Sequence, residues 1–521
     1  MSTSPVELRD TPAEAGAAAS ASDQGLTHRT TTGVGWTLLG LAIAEPIRIT
    51  VTALLARALT PQEFGIVGMA TVFLGLAAIG NDLGLPVAII QRRETTQNEL
   101  SSLFWFNLSV GVAFAVLGVL ASQPLAAFFH QPAVAPVLAA LSVGFIVTSL
   151  VQIQGALVRR RMDFRTPAIA NIVGVAIGGI VAIAAARAGW GVWALVINSI
   201  VSGVVLAGIV AATVRWVPTR RFRWREVRPF VLFGGALTVA GFAGYGAANV
   251  DNLVVGRVLG AGPLGIYALA YNLIMYPVRR IASTVTGVTL PAFSRIQGDN
   301  ARYAAAFVRA LEMSASVVTP LLMAAAVASE SIVLGLYGPK WAAAVIPFRL
   351  LCVAGLGRGL GVLAEVALKG LGKGARLLWW TAAGLLGVAA GAWFGIPSGV
   401  NGVAVGVSVA TMFCSALMLW DVMHLLGVTL AVGFVRVGRP MVLGAAAAGS
   451  AWLVGEMLGL LGAGHLVSAV LAVALGVVIP LAVAFLVPGF AGVRELVSII
   501  RGRMTAASGD TDLAAEGPSR G

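Results

Sequence analysis

The sequence predicts an all-α polytopic membrane protein with about 14 transmembrane helices: two parallel-repeat six-helix bundles followed by two C-terminal helices. Three observations predict it. The 521 residues are 58% hydrophobic and 11% charged, with a mean hydropathy of +0.90, too little polar surface to face water. Apolar runs of about 20 residues, each able to cross about 30 Å of hydrocarbon, recur along the chain. Finally, ALLARALTPQEFGIVGMA (Ala53–Ala70) is matched 200 residues later by LVVGRVLGAGPLGIYALA (Leu253–Ala270) without a gap. Arg57 meets Arg257, Leu59 meets Leu259, Gly65-Ile66 meets Gly265-Ile266, and Ala70 meets Ala270. Average usage would give roughly one or two identities in such a window. Leu85-Pro86-Val87-Ala88 is echoed by Leu290-Pro291-Ala292-Phe293 after a small slip in register. A repeat on this scale is a structural unit.

In chain order, residues 1–28 are rich in Ala, Ser, Thr and acidic groups. They read as a disordered cytoplasmic tail, and their lack of an apolar segment argues against a secretory signal. An N-terminal bundle over 29–214 holds spans at Gly33–Leu55, Phe64–Gly84, Leu103–Ala121, Val134–Leu157, Ala168–Ala186 and Trp190–Val214. The connector 215–228 carries Arg215, Arg220, Arg221, Arg223, Arg225 and Arg228. A C-terminal bundle over 229–425 holds Pro229–Val250, Leu264–Thr284, Val308–Ile332, Ala342–Leu368, Leu377–Phe394 and Val400–Val422. Two further spans, Met441–Leu461 and His465–Val487, fall within 426–490, and a polar tail occupies 491–521. The 64 glycines suit close helix packing in lipid.

Charge placement sets the expected topology. Loops after even-numbered spans hold Arg92 and Arg93, Arg159–Arg161 and Arg165, the six-arginine connector, Arg295 and Arg302, Lys369, Lys373 and Arg376, and Arg436 and Arg439. Loops after odd-numbered spans hold only Arg57, Arg187, Arg257 and Lys340. The positive-inside rule makes the first set, and both termini, cytoplasmic. Six spans separate Arg57 from Arg257, so the two repeats point the same way through the bilayer. The net charge of +13 is thus spent on alternate loops and makes no continuous stripe for nucleic acid.

Several chemistries are excluded. Cys352 and Cys414 lie apart in apolar runs, and His28, His130, His424 and His465 are scattered, so neither pattern suits a metal or disulfide framework. No loop is long enough for a catalytic or nucleotide-binding domain. Gly370-Leu371-Gly372-Lys373-Gly374 lacks the hydroxyl residue and preceding strand of a phosphate loop. A non-enzymatic transporter without a cofactor remains.

The stretches LARALTPQEFGIVGMA (Leu55–Ala70), NDLGLPVAIIQRRE (Asn81–Glu94), LSSLFWFNL (Leu100–Leu108), LVRRRMDFR (Leu157–Arg165), NVDNLVVGRVLG (Asn249–Gly260) and LGIYALAYNL (Leu264–Leu273) resemble polysaccharide flippases. The family is that of the lipopolysaccharide-biosynthesis exporters of the colanic acid exporter type. These belong to the multidrug/oligosaccharidyl-lipid/polysaccharide exporter superfamily. The resemblance runs from about Gly33 to Val422. It implies two six-helix bundles facing a central cavity in the bacterial inner membrane. It also implies flipping of undecaprenyl-pyrophosphate-linked repeat units. The expected mechanism is alternating access with H⁺ or Na⁺ as coupling ion, and the expected partners are membrane lipids and a polysaccharide polymerase.

Flipping such a ligand calls for a wet, cationic path, and arginine binds phosphate bidentately without losing its charge. A charge at mid-span costs about 2.5–3.5 kcal/mol on insertion scales and is therefore a functional candidate. Glu45 and Arg48, three residues apart around Pro46, are either a self-neutralising pair or a pyrophosphate site in which Glu45 responds to protonation. Arg279 and Arg280 fall at the repeat positions of Ile79 and Gly80, beside Asp82. They are expected either to gate the cytoplasmic mouth with Asp82 or to snorkel to the interface. Asp251, with Asn252, is a coupling-ion candidate whose plainer reading is a helix-end ion pair with Arg257. Arg257 reads as an interfacial anchor and as a fourth member of the cationic set. Glu365 is a second coupling candidate, with Lys369 one turn away to neutralise it. Trp105, Trp379 and Trp380 read as interface residues. The rival readings are a cation-coupled multidrug exporter, which would want acidic mid-span groups, a membrane enzyme of polysaccharide assembly, and a scaffold without transport.

Overall fold

The computed structural model describes residues 12–92 and 95–486, and every regular element among them is helical. Arg93, the first eleven residues and the expected tail 491–521 lie outside the described residues. The helices are α1 (Pro12–Ala58), α2 (Pro61–Asp82), α3 (Leu85–Gln91), α4 (Gln97–Phe128), α5 (Val134–Ser142), α6 (Gly144–Arg160), α7 (Arg165–Arg187) and α8 (Trp193–Val214). There follow α9 (Trp224–Val258), α10 (Ala261–Arg295), α11 (Asn300–Val327), α12 (Ser329–Tyr337), α13 (Val345–Gly370), α14 (Gly374–Gly395), α15 (Gly399–Leu425), α16 (Leu430–Leu460) and α17 (His465–Leu486).

Among the described residues each of the expected spans falls largely on helix; the sixth becomes helical at Trp193, and Val487, the expected end of the last, lies outside the described residues. Eleven helical stretches among the described residues are long and apolar enough to cross a membrane, one of them, Gly374–Leu425, taking in both α14 and α15. The chain is a multi-pass membrane protein. Three details differ from expectation. The fourth span is divided into α5 and α6 at Val143, and the ninth into α11 and α12 at Ala328. The tail read as disordered is helical from Pro12, continuous with α1, in a stretch dense in alanine, the strongest helix former.

Local chemistry sets the helix ends. Thr60 N–H donates to Glu63 Oε2 at 2.7 Å while Glu63 N–H returns to Thr60 Oγ1 at 3.4 Å, a capping box at the start of α2. Thr96 and Glu99 repeat it before α4, at 2.8 and 3.2 Å. Asp163 accepts from the backbone N–H groups of Arg165 and Thr166, both at 3.1 Å, at the start of α7.

The chain divides into two compact units. The first comprises Met1–Ala58, Phe73–Leu125 and Ala133–Gly241. Its core joins Leu85 and Ile89 of α3, Leu103 and Phe104 of α4, Ile153 of α6 and Phe230 of α9. The arginine-rich connector is fastened to the start of α4: the backbone N–H groups of Thr219 and Arg223 donate to Ser101 and Ser102 Oγ at 3.0 and 3.1 Å. Trp105 Nε1 donates to the Thr219 carbonyl at 2.8 Å, so this indole anchors a loop, beyond the interface role expected of it.

The second unit comprises Leu59–Val72, Ala126–Pro132 and Phe242–Gly521. Its core packs Phe293, Tyr303, Phe307 and Leu311 against Leu363, Ala367 and Val422. Helices α14 and α15 meet through GAWFG (Gly391–Gly395) and GVAVG (Gly402–Gly406). A Cβ on Gly391 would stand 2.3 Å from the Gly406 carbonyl oxygen, and one on Gly406 1.9 Å from that of Gly391, so only glycine permits this approach. The sequence repeat also becomes a contact here. A Cβ on Gly65 would lie 1.7 Å from the Ala261 carbonyl oxygen, and one on the repeat-matched Gly265 1.9 Å from that of Pro61. The first turns of α2 and α10 therefore press on each other reciprocally.

Trp380, read as an interface residue, donates from Nε1 to Asp421 at 2.9 Å, and Arg376 grips the same carboxylate at 2.6 and 2.8 Å. Arg436 of α16 donates to the buried Glu312 of α11 at 2.7 Å, tying a helix outside the duplication to the bundle.

Candidate functional site

In the first unit, α1, α7 and α8 line an open cavity of about 310 Å³. Within the apolar span Gly35–Ala58 of α1, Ala44 and Val51 are buried, while the side chain of Arg48 between them is 51% exposed. It lines the cavity with Thr52, Asn171, Asn198, Ser199 and Ser202. Arg48 Nε lies 3.4 Å from Glu45 Oε2, and its Nη2 donates to Asn171 Oδ1 at 3.4 Å. Glu45 holds one edge of the guanidinium while the rest faces the cavity. A guanidinium ringed by carboxamides and hydroxyls offers charge to an anion and hydrogen-bonding groups to a polyol.

In the second unit, Asp251 of α9 is 1% exposed. Tyr267 OH donates to its Oδ2 at 2.7 Å, and Asn252 N–H to its Oδ1 at 2.8 Å. Asp251 therefore does not form the expected pair with Arg257. A helix turns about 100° per residue, so a six-residue separation sends the two side chains to different faces. Arg257 instead meets the His130 ring, with its guanidinium carbon 5.2 Å from the Phe128 centroid, an anchor at the end of α9. Asn252 is buried, and its Oδ1 has no hydrogen-bond partner among the described residues.

A small cavity of about 20 Å³ lies beside Asp251, lined also by Tyr271 of α10, Arg358 of α13 and Thr411 of α15. Arg358, absent from the sequence-derived candidates, sits at the middle of α13 and is exposed, although Leu356, Gly357, Gly359 and Leu360 around it are all buried. Its signal was present as the lone charge in GLGRGLG. Asn171 and Asn198 are further members that sequence reading missed.

Among the remaining candidates, Arg279, Arg280 and Asp82 have local partners of their own. Arg279 is exposed and hydrogen-bonds Tyr271, near Tyr245, and Arg280 extends over the Tyr276 ring at 5.5 Å. Asp82 accepts from Gln152 Nε2 at 2.6 Å in the first unit, whereas Arg279 and Arg280 belong to the second. Glu365 is half-buried, and no ion pair joins it to Lys369.

A family described as polysaccharide biosynthesis protein matches residues 54–346. The chain is 28% identical over 342 residues to the lipopolysaccharide biosynthesis protein WzxC of Escherichia coli (strain K12), a match that covers 64% of this chain and 69% of that protein. It is 27% identical over 332 residues to the succinoglycan biosynthesis transport protein ExoT of Rhizobium meliloti (strain 1021), covering 63% and 66%. Its fold is similar to that of the lipid II flippase MurJ in an inward closed conformation, with TM-score 0.70, 13% identity and coverage of 88% and 99%. It is also similar to an inward-facing multidrug resistance MATE family transporter, with TM-score 0.61, 17% identity and coverage of 76% and 98%.

Proposed function

Because this chain belongs to the polysaccharide biosynthesis protein family, we propose that it is a flippase for lipid-linked oligosaccharides, moving polysaccharide repeat units carried on a polyprenyl pyrophosphate across the inner membrane. One observation carries the reading: arginines stand within apolar spans, Arg48 on the cavity lined by α1, α7 and α8, and Arg358 exposed at the middle of α13 between buried neighbours. An arginine at that depth is tolerated where it meets water or an anion, and is costly where it meets acyl chains.

The cavity beside Arg48 matches the chemistry of the proposed headgroup. Pyrophosphate oxygens take the guanidinium, while sugar hydroxyls take Asn171, Asn198, Ser199 and Ser202. A cationic drug would instead meet a fixed positive charge there, which disfavours export of such compounds. Transport proceeds by alternating access coupled to a proton or sodium gradient, with both termini cytoplasmic.

The test is a deletion strain. Lipid-linked repeat units are expected to accumulate on the inner leaflet and to clear on re-expression of the intact chain. An unchanged lipid-linked pool, with altered drug resistance instead, would overturn the assignment.

A further inference from the structure

We propose that Arg358 is a built-in counter-cation for Asp251, occupying the electrostatic role that a sodium ion would fill, so that this carboxylate binds no sodium. The inference rests on the ion-coupled transporter reading and narrows its coupling ion. Asp251 is almost wholly buried, and its two hydrogen-bond donors, the Tyr267 hydroxyl and the Asn252 amide, are neutral. Hydrogen bonds of this kind orient a carboxylate but leave its charge uncompensated, and an uncompensated buried charge is costly.

The groups around the cavity identify the compensation. Helix α10 presents Tyr267 and Tyr271, the latter hydrogen-bonded to Arg279. Helix α14 presents Val388, and α15 presents Val407 and Thr411, none of which titrates. Helix α13 presents Arg358, the sole cationic side chain lining this cavity. Carboxylate and guanidinium make the cavity neutral, and an added monovalent cation would make it net positive beside a fixed arginine. A space of about 20 Å³ is roughly that of one water.

Remove the guanidinium and the balance reverses. The Asp251 carboxylate and the Thr411 hydroxyl would border a water-sized space without a cation. Oxygen donors around a small vacancy carrying one negative charge suit an alkali ion. Because Arg358 is also exposed, its guanidinium is available to turn toward an anionic ligand, which leaves Asp251 to be neutralised by a proton.

The test is thermal unfolding of the purified full chain in saturating NaCl against the same concentration of choline chloride. This readout does not require the chain to be a flippase. Intact protein is expected to unfold at the same temperature in both salts. Arg358→Gln is expected to unfold several degrees lower in choline and to recover in NaCl, and the double variant Asp251→Asn/Arg358→Gln to lose that sodium response. Stabilisation of the intact protein by sodium, abolished by Asp251→Asn, would overturn the proposal. So would a folded Arg358→Gln protein indifferent to sodium. Should Arg358→Gln fail to fold, the intact and Asp251→Asn proteins still decide the matter.

Discussion

An arginine in the middle of a membrane helix is explained by what it faces. Arg48 faces a cavity of amides and hydroxyls while Glu45 secures its Nε. Removing one charge-assisted hydrogen bond costs about 1.5–3 kcal/mol, so Arg48→Ala is expected to slow transport roughly tenfold to a hundredfold. Arg48→Lys should recover only part of that rate, since a point charge does not replace a planar fork. Flipping of a labelled lipid-linked sugar by proteoliposomes, with equal protein incorporated, measures both. Glu45 and Arg48 were legible in the sequence because two charges three apart in an apolar run have few reasons to be there. Arg358 carried the same signal in isolation and was passed over. Asn171 and Asn198 were not legible: a neutral amide barely perturbs hydropathy, and their meeting with Arg48 depends on which helices adjoin. The pairing of Asp251 with Arg257 looked natural along the chain and fails because the helix rotates them apart.

Helices were the most legible elements, since a run of about 20 apolar residues has little alternative in lipid but to coil. The breaks at Val143 and Ala328 were hidden, because a single interrupted hydrogen bond leaves the apolar run intact. Repetition of Gly65 and Gly265 was visible, but their reason was not. That reason is steric: each admits a carbonyl oxygen of the other copy where a methyl group would overlap it. Overpacking of this kind costs typically about 1–3 kcal/mol, so Gly65→Ala and Gly265→Ala are each expected to lower the unfolding midpoint measurably. Gly68→Ala is the matched control on the same helix, its nearest neighbour, Leu264, lying 3.4 Å away. Equal midpoints for Gly65→Ala and Gly68→Ala would remove the steric account.

At the scale of the whole molecule, hydropathy and loop charge identified a multi-pass protein with a duplication, and the fold agrees in class. How the last two helices are used was beyond that reading, because a pair of spans outside a repeat looks dispensable in one dimension. In the second unit they cover functional-looking chemistry: Glu312 is buried and takes its ion pair from Arg436, while Gly444 abuts Thr319 and Gly476 abuts Ala324. Truncation after Val428 is therefore expected to leave a carboxylate in lipid without its partner, about 1–3 kcal/mol, together with an uncovered apolar face. Monodispersity in detergent and the thermal midpoint should both fall, and by more than for Glu312→Gln alone. A truncated chain as stable as the full one would mean that these helices are peripheral.

The reciprocal seat of Pro61–Gly65 against Ala261–Gly265 has a consequence for ancestry. Once two copies of a segment lean on one another, neither is free to drift. An insertion ahead of one glycine would carry it off the opposing carbonyl unless the twin were lengthened as well. Aligned relatives should accordingly show these two stretches changing in step, as residues in contact do.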